Sequence, residues 1–139
     1  MKYLTHKEIN LAEELSKFHN PSSGAIVLFS GEPRNSNKNR EVSCLEYEAY
    51  EPMAEKLIHE ILENARTKWN LIQCMAMHRL GIVKPMESAV IVITSSRHRK
   101  EAYNSNEWII HEIKHKVPIW KKEVYADGLE EYPEGCSHD

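Results

Sequence analysis

The chain reads as an α+β protein in which a mixed, mostly antiparallel sheet is covered by about three helices. Three observations predict this. Apolar residues recur at helical spacing in three stretches, short apolar or alternating runs lie between them, and the resulting order is α-β-β-α-β-β-α-β. Hairpin-like strand pairs interrupted by helices that must cover one sheet face point to mixed or mostly antiparallel pairing. At 139 residues the chain is long enough for one core, with residues 1–127 as a single domain and an acidic, loose tail over 128–139.

Thr5-His6-Lys7-Glu8 has the form of a capping box, with Leu4 and Ile9 spaced for a hydrophobic staple, which predicts a first helix over 6–18. Asn20-Pro21-Ser22-Ser23-Gly24 stops it, and Ala25-Ile26-Val27-Leu28-Phe29 follows as a buried strand. Residues 31–40 form a polar loop expected to move when nothing is bound. Residues 42–50 alternate, with Leu45, Tyr47 and Ala49 on one face and Glu46 and Glu48 on the other. Pro52 suits the first turn of a helix, and Met53, Leu57, Ile61 and Ala65 carry its stripe to about Trp69.

Residues 71–80 and 88–95 are strands, joined by a hairpin-like connection over 81–87. A long helix starts near Arg99, with Ala102, Asn106, Ile109, Ile110 and Ile113 inward. Pro118 forces Val117 out of helical geometry, so the helix ends at about Lys116 and a last strand runs over 119–125. On that strand Trp120 and Val124 are expected on the buried face, with Lys121 on the open one.

Several function classes drop out early. A net charge of −3 argues against nucleic-acid binding by bulk charge, and no apolar run reaches the length of a membrane span. The start lacks an apolar signal region, which points to the cytosol. Cys44, Cys74 and Cys136 are scattered and odd in number, unlike a disulfide framework or a thiolate zinc site. Glycines at 24, 31, 81, 128 and 135 make no phosphate-cradling loop, so a phosphate must be held by side chains such as Arg34, His98 and Arg99. His111-Glu112-Ile113-Lys114-His115 matches H-E-x-x-H, but the helix ends just beyond it among lysines whose field opposes a dication. No metal site is expected there. A zinc hydrolase remains the reading that stoichiometric zinc would support.

The charge that remains is strongly polarised. Residues 97–122 carry seven Lys/Arg against three acids, whereas 123–139 carry six acids and no Lys or Arg. Within the basic block, Lys114 ends a helix and Lys121 lies on the next strand, so the two can meet across the Pro118 turn. Alternation sends Lys121 and Lys122 to opposite faces, leaving one of them to share a cleft with Lys114. Crowded ammonium groups oppose one another's protonation, and a lysine so placed can attack or polarise a carbonyl. His98-Arg99, at the start of a helix, is a candidate anion pocket; His78-Arg79, at a strand end, is a second candidate of that kind, with burial or a structural ion pair the preferred reading.

Between Gly24 and Glu123 the chain carries, in order, Gly24-Ala25-Ile26, Phe29-Ser30-Gly31 with Arg34-Asn35, the string from Leu45 to Glu55, His78-Arg79-Leu80-Gly81, Ser95 to Arg99, and Lys116 to Glu123. In these motifs it resembles the large, catalytic subunit of molybdopterin synthase. The resemblance implies an α/β hammerhead fold and sulfur transfer in molybdenum cofactor biosynthesis. The donor would be the Gly-Gly thiocarboxylate of a small ubiquitin-like subunit, and the acceptor cyclic pyranopterin monophosphate. The large subunits would pair as a central dimer within a heterotetramer, with no resident metal or cofactor and no nucleic acid or membrane partner. By motif, Lys114 and Lys121 would be the catalytic lysines, and Arg34, His98 and Arg99 would hold the pterin phosphate. Glu32, Pro33, Lys122 and Glu123 flank these as weaker binding candidates. The chain departs from the pattern in two places. Asn35-Ser36-Asn37-Lys38-Asn39-Arg40 lacks the glycine expected there, and Leu129-Glu130-Glu131-Tyr132 lacks a tryptophan. The rival reading is a non-catalytic module that docks a ubiquitin-like tail.

Overall fold

The computed structural model describes residues 1–132. In chain order it contains β1 (Leu4–Thr5), α1 (Leu11–Ser16), β2 (Ala25–Gly31), β3 (Ser36–Asn37), β4 (Arg40–Ala49) and α2 (Glu51–Trp69). There follow β5 (Gln73–Arg79), β6 (Gly81–Val83), β7 (Val90–Ser96), α3 (Arg99–Lys116), β8 (Ile119–Tyr125) and β9 (Glu130–Glu131). The mixed α+β class is as expected, but the strands divide into two sheets. One has the order β1-β5-β7-β2; the other has β3-β4-β8-β9, with β6 also paired to β4. All pairings are antiparallel except β1 with β5.

The first sheet is covered on both faces, which explains why every residue of β7 is buried, the polar Thr94, Ser95 and Ser96 included. On one side α2 and α3 deliver Ala54, Ile58, Ile61, Leu62, Ile109 and Ile113 onto Ala76 and Val92. On the other, Ile9 and Phe18, with Leu11 and Leu15 of α1, cover Ile91 and Ile93. Asn106 of α3 points its amide into the sheet, donating to Val27 O and Val92 O at 3.0 Å each. Gly24, just before β2, lies so near the Arg97 carbonyl that a Cβ would stand 2.1 Å from its oxygen.

The N-terminus departs from the sequence expectation. Instead of capping a helix, Leu4 and Thr5 pair in parallel with His78 and Arg79, and the Glu55 carboxylate accepts the backbone N–H groups of Lys2, Tyr3 and Leu4. The cap moves to Asn10, whose Oδ1 accepts from Glu13 N at 3.0 Å. Burial of Leu4 and a ready strand edge outweigh a local capping signal worth about 1 kcal/mol.

The connection over 81–87 is also more than a hairpin turn. Gly81, at φ +87°, bends the chain out of the first sheet so that β6 pairs with β4 in the second. The polar loop contains its own tight hairpin: β3 and β4 are joined by Lys38 and Asn39, both at positive φ. Two consecutive left-handed residues are what a two-residue hairpin turn requires, so Lys38-Asn39 serves where a glycine was expected.

α2 and α3 keep their predicted limits. Asn70 ends α2 in the left-handed conformation, and α3 stops at Val117, extended at ψ 131° ahead of Pro118. Tyr50 N donates to Pro118 O at 3.1 Å, tying the start of α2 to the turn between α3 and β8. Past Gly128, residues 128–132 fold back: β9 pairs with β8, and Arg40 reaches Glu131 at 2.8 Å. The rest of the expected loose tail, 133–139, lies outside the described residues. Among the described residues no helix is long and apolar enough to cross a membrane.

Candidate functional site

Where α3 ends and the two sheets meet, a cleft of about 430 Å³ opens. Lys114 enters it from the last turn of α3 and Lys121 from β8, both half-buried. Pro118 makes this convergence possible by ending the helix and reversing the chain between them. Glu32, Pro33 and Arg34, which leave the end of β2, form part of the same lining. Pro33 is buried, whereas Glu32 and Arg34 remain exposed at the mouth.

The face assignment of β8 is the reverse of the expectation. Trp120 is 52% exposed and lines the cleft from outside, while Glu123 and Tyr125 are buried. Pairing with β4 is the reason: Tyr47 stands opposite Lys121, Leu45 opposite Glu123 and Val42 opposite Tyr125. The apolar cluster of Val42, Leu45 and Tyr125 thereby fixes which side of β8 turns inward, and Lys121 lies on that side.

Lys122 and Glu123 fall outside the cleft lining. Lys122 bridges Glu46 and Glu130 at 3.1 Å each, and these carboxylates hold its ammonium well above the ordinary lysine range. Glu123, only 4% exposed, accepts from Asn37 Nδ2 at 2.9 and 3.0 Å and so anchors the β3–β4 hairpin to β8. His98 and Arg99 are exposed at the opposite end of α3. At 1.5 Å per residue, the 15 positions from Arg99 to Lys114 span about 22 Å. One copy of the chain therefore gathers Arg34, Lys114 and Lys121, but not His98 and Arg99.

Two floor residues escaped the sequence reading as site members, Tyr47 and His78. Their rings meet edge to face at 4.8 Å. Burial, aided by Glu123, pushes the Tyr47 phenol up to about 12. Burial also drives the His78 imidazole down to about 4, against the Arg79 carbonyl hydrogen bond that favours protonation and with the Lys114 charge that disfavours it. Both are neutral at pH 7. The available signal was positional: Tyr47 shares the alternating face of Leu45, and His78 closes a strand.

The H-E-x-x-H match has no ligand geometry. The His111 and His115 rings stack at 4.1 Å, and His115 Nδ1 is engaged by His111 O at 2.8 Å. Among the described residues no group of three or more His, Cys, Asp or Glu side chains is arranged to hold a metal ion.

A family model described as MoaE protein matches residues 4–116. The chain belongs to the molybdopterin synthase catalytic subunit family. It is 38% identical to the molybdopterin synthase catalytic subunit of Thermoplasma volcanium, over 90% of this chain and 91% of that one. To the Bacillus subtilis catalytic subunit it is 40% identical, over 90% and 80%. The crystal structure of molybdopterin synthase from Staphylococcus aureus superposes with a TM-score of 0.88 at 36% identity, covering 99% of this chain and 97% of that one. A complex of subunits 1 and 2 of the molybdopterin-converting factor from Helicobacter pylori shares the fold, with a TM-score of 0.80 at 22% identity, over 98% and 92%. As a member of the molybdopterin synthase catalytic subunit family, the chain is an enzyme, a sulfurtransferase of molybdenum cofactor biosynthesis.

Proposed function

We propose that the cleft between α3 and β8 is where sulfur passes from the C-terminal thiocarboxylate of a small ubiquitin-like subunit to cyclic pyranopterin monophosphate, forming the dithiolene of molybdopterin. The observation that carries this is the convergence of Lys114 and Lys121 over a neutral floor, with Arg34 at the mouth. Both substrates bring negative charge, and both need cations in a partly dry site. Small-subunit docking is supported by the Helicobacter pylori complex, whose fold this chain shares.

Each transfer forms a carbon–sulfur bond on the pterin as an oxygen substituent leaves that carbon, and water adds to the donor carbonyl as its own carbon–sulfur bond breaks, so the donor returns as an ordinary carboxylate and two donors serve one acceptor. The lysine ammonium groups stabilise the oxyanion that develops as sulfur leaves the donor carbonyl, where low local dielectric makes them most effective. Arg34 offers paired N–H groups to the pterin phosphate. His98 and Arg99 join the phosphate site only from a second copy of the chain, and this gives the proposed central dimer of a cytosolic heterotetramer a catalytic reason. The pterin is substrate, and no resident metal or cofactor is invoked.

The test is a sulfur-transfer assay with purified protein, thiocarboxylated small subunit and cyclic pyranopterin monophosphate, the product being oxidised and detected by fluorescence. Product that disappears in Lys121→Ala supports the reading. A stable complex with the small subunit and no product from the wild-type chain would refute it in favour of a docking module.

A further inference from the structure

The sulfur-transfer reading leaves His78 without a task, although it lines the same cleft as Lys114, whose charge acts on its ring. Its ring is unusually constrained. Nδ1 lies 2.8 Å from the Arg79 carbonyl oxygen, which can only accept, so Nδ1 carries the proton and donates. In the neutral ring Nε2 is then the lone-pair nitrogen. The strand is fixed by His78 N donating to Tyr3 O at 2.8 Å, and Tyr47 stands edge-on to the ring at 68°.

The titratable and charged groups around the ring come from each neighbouring element. α3 supplies Lys114, β4 supplies Tyr47, β8 places Lys121 opposite Tyr47, and β5 itself supplies Arg79, held by Glu87 at 3.2 Å. A carboxylate at position 78 would bind Lys114 and lock it as an ammonium ion. A buried neutral imidazole can hold the same nitrogen while leaving its protonation adjustable.

We propose that His78 is a positioning residue for Lys114, its Nε2 lone pair receiving an N–H of the Lys114 side chain and fixing that nitrogen over the cleft floor during sulfur transfer. The inference rests on the sulfur-transfer reading and adds to it a reason for an uncharged floor.

Two substitutions separate the ring's two nitrogens. His78→Asn keeps an N–H donor at the Nδ1 position and removes the acceptor; His78→Gln reaches the Nε2 position and gives up the bond to Arg79. Misplacing a reacting group by about 1 Å costs about 100-fold. His78→Asn is therefore expected to lower kcat by about that factor with small-subunit affinity unchanged, and to lower the pKa of Lys114 read by carbon NMR of labelled lysine. His78→Gln is expected to recover most of kcat. On the wild-type protein, nitrogen NMR of the ring should show the Nδ1–H tautomer from pH 8 to pH 5. Wild-type kcat in His78→Asn, equal losses in both variants, an unmoved Lys114 pKa or an Nε2–H tautomer would each overturn the assignment. Lack of product from the wild-type chain would instead refute the sulfur-transfer reading, and the NMR measurement would still decide the role of His78.

Discussion

Replacing Lys121 by Met removes one positive charge from the cleft while keeping much of the side-chain stem. At a contact distance of about 4 Å and an effective dielectric of about 20, one unit charge on another is worth about 4 kcal/mol. Only the part realised as the oxyanion forms counts toward rate, so about 3 to 4 kcal/mol corresponds to a loss of about 10² to 10³ in kcat. Lys121 is half-buried against Tyr47, so the substitution should leave the fold intact. Lys116→Met is the control: it removes a lysine from the same basic segment, but one that is exposed and paired with Glu112. The assay is single-turnover sulfur transfer with saturating thiocarboxylated small subunit, together with a separate binding titration. A Lys121→Met enzyme within tenfold of wild type, or a Lys116→Met enzyme equally impaired, would refute the argument that position in the cleft matters more than local charge density.

Three further outcomes are expected. Asn106→Ala leaves the buried Val92 carbonyl and the part-buried Val27 carbonyl short of a donor and should cost about 2 kcal/mol in urea unfolding; an unchanged midpoint would mean the amide contributes no net stability. Lys38→Gly relieves a left-handed residue at φ +52° in the β3–β4 turn and should raise stability by up to about 1 kcal/mol, whereas a loss would show that the turn is not strained by lysine. His78, held at about 4 when folded against 6.5 as its ordinary value, stays neutral while the unfolded chain takes up a proton. Its contribution to stability is thus complete above pH 6.5 and is lost as pH falls toward 4, by about 3 kcal/mol. Unfolding at pH 7.5 and pH 4.5 should show a smaller difference in His78→Gln than in wild type, and equal differences would remove His78 as the cause.

The sequence by itself determined most element identities, because helix and strand periodicities are local and α2, α3, β2, β4, β5, β7 and β8 each carry their own. It also exposed Lys114 and Lys121 as neighbours, since only the Pro118 turn separates them. Tertiary structure decided the rest. Thr5 looks like a cap until the edge of β5 is present to pair with it, and β6 looks like a loop until β4 is beside it. Trp120 looks like core until pairing with β4 commits the other face of β8 to Leu45 and Tyr125. His98 and Arg99 look like cleft residues until α3 is seen to hold them a helix length away. His78 and Tyr47, 31 positions apart, become one neutral floor only when two sheets meet. Each of these depends on which surfaces touch, and burial, backbone pairing and charge at a contact are properties of the pair that neither segment carries alone.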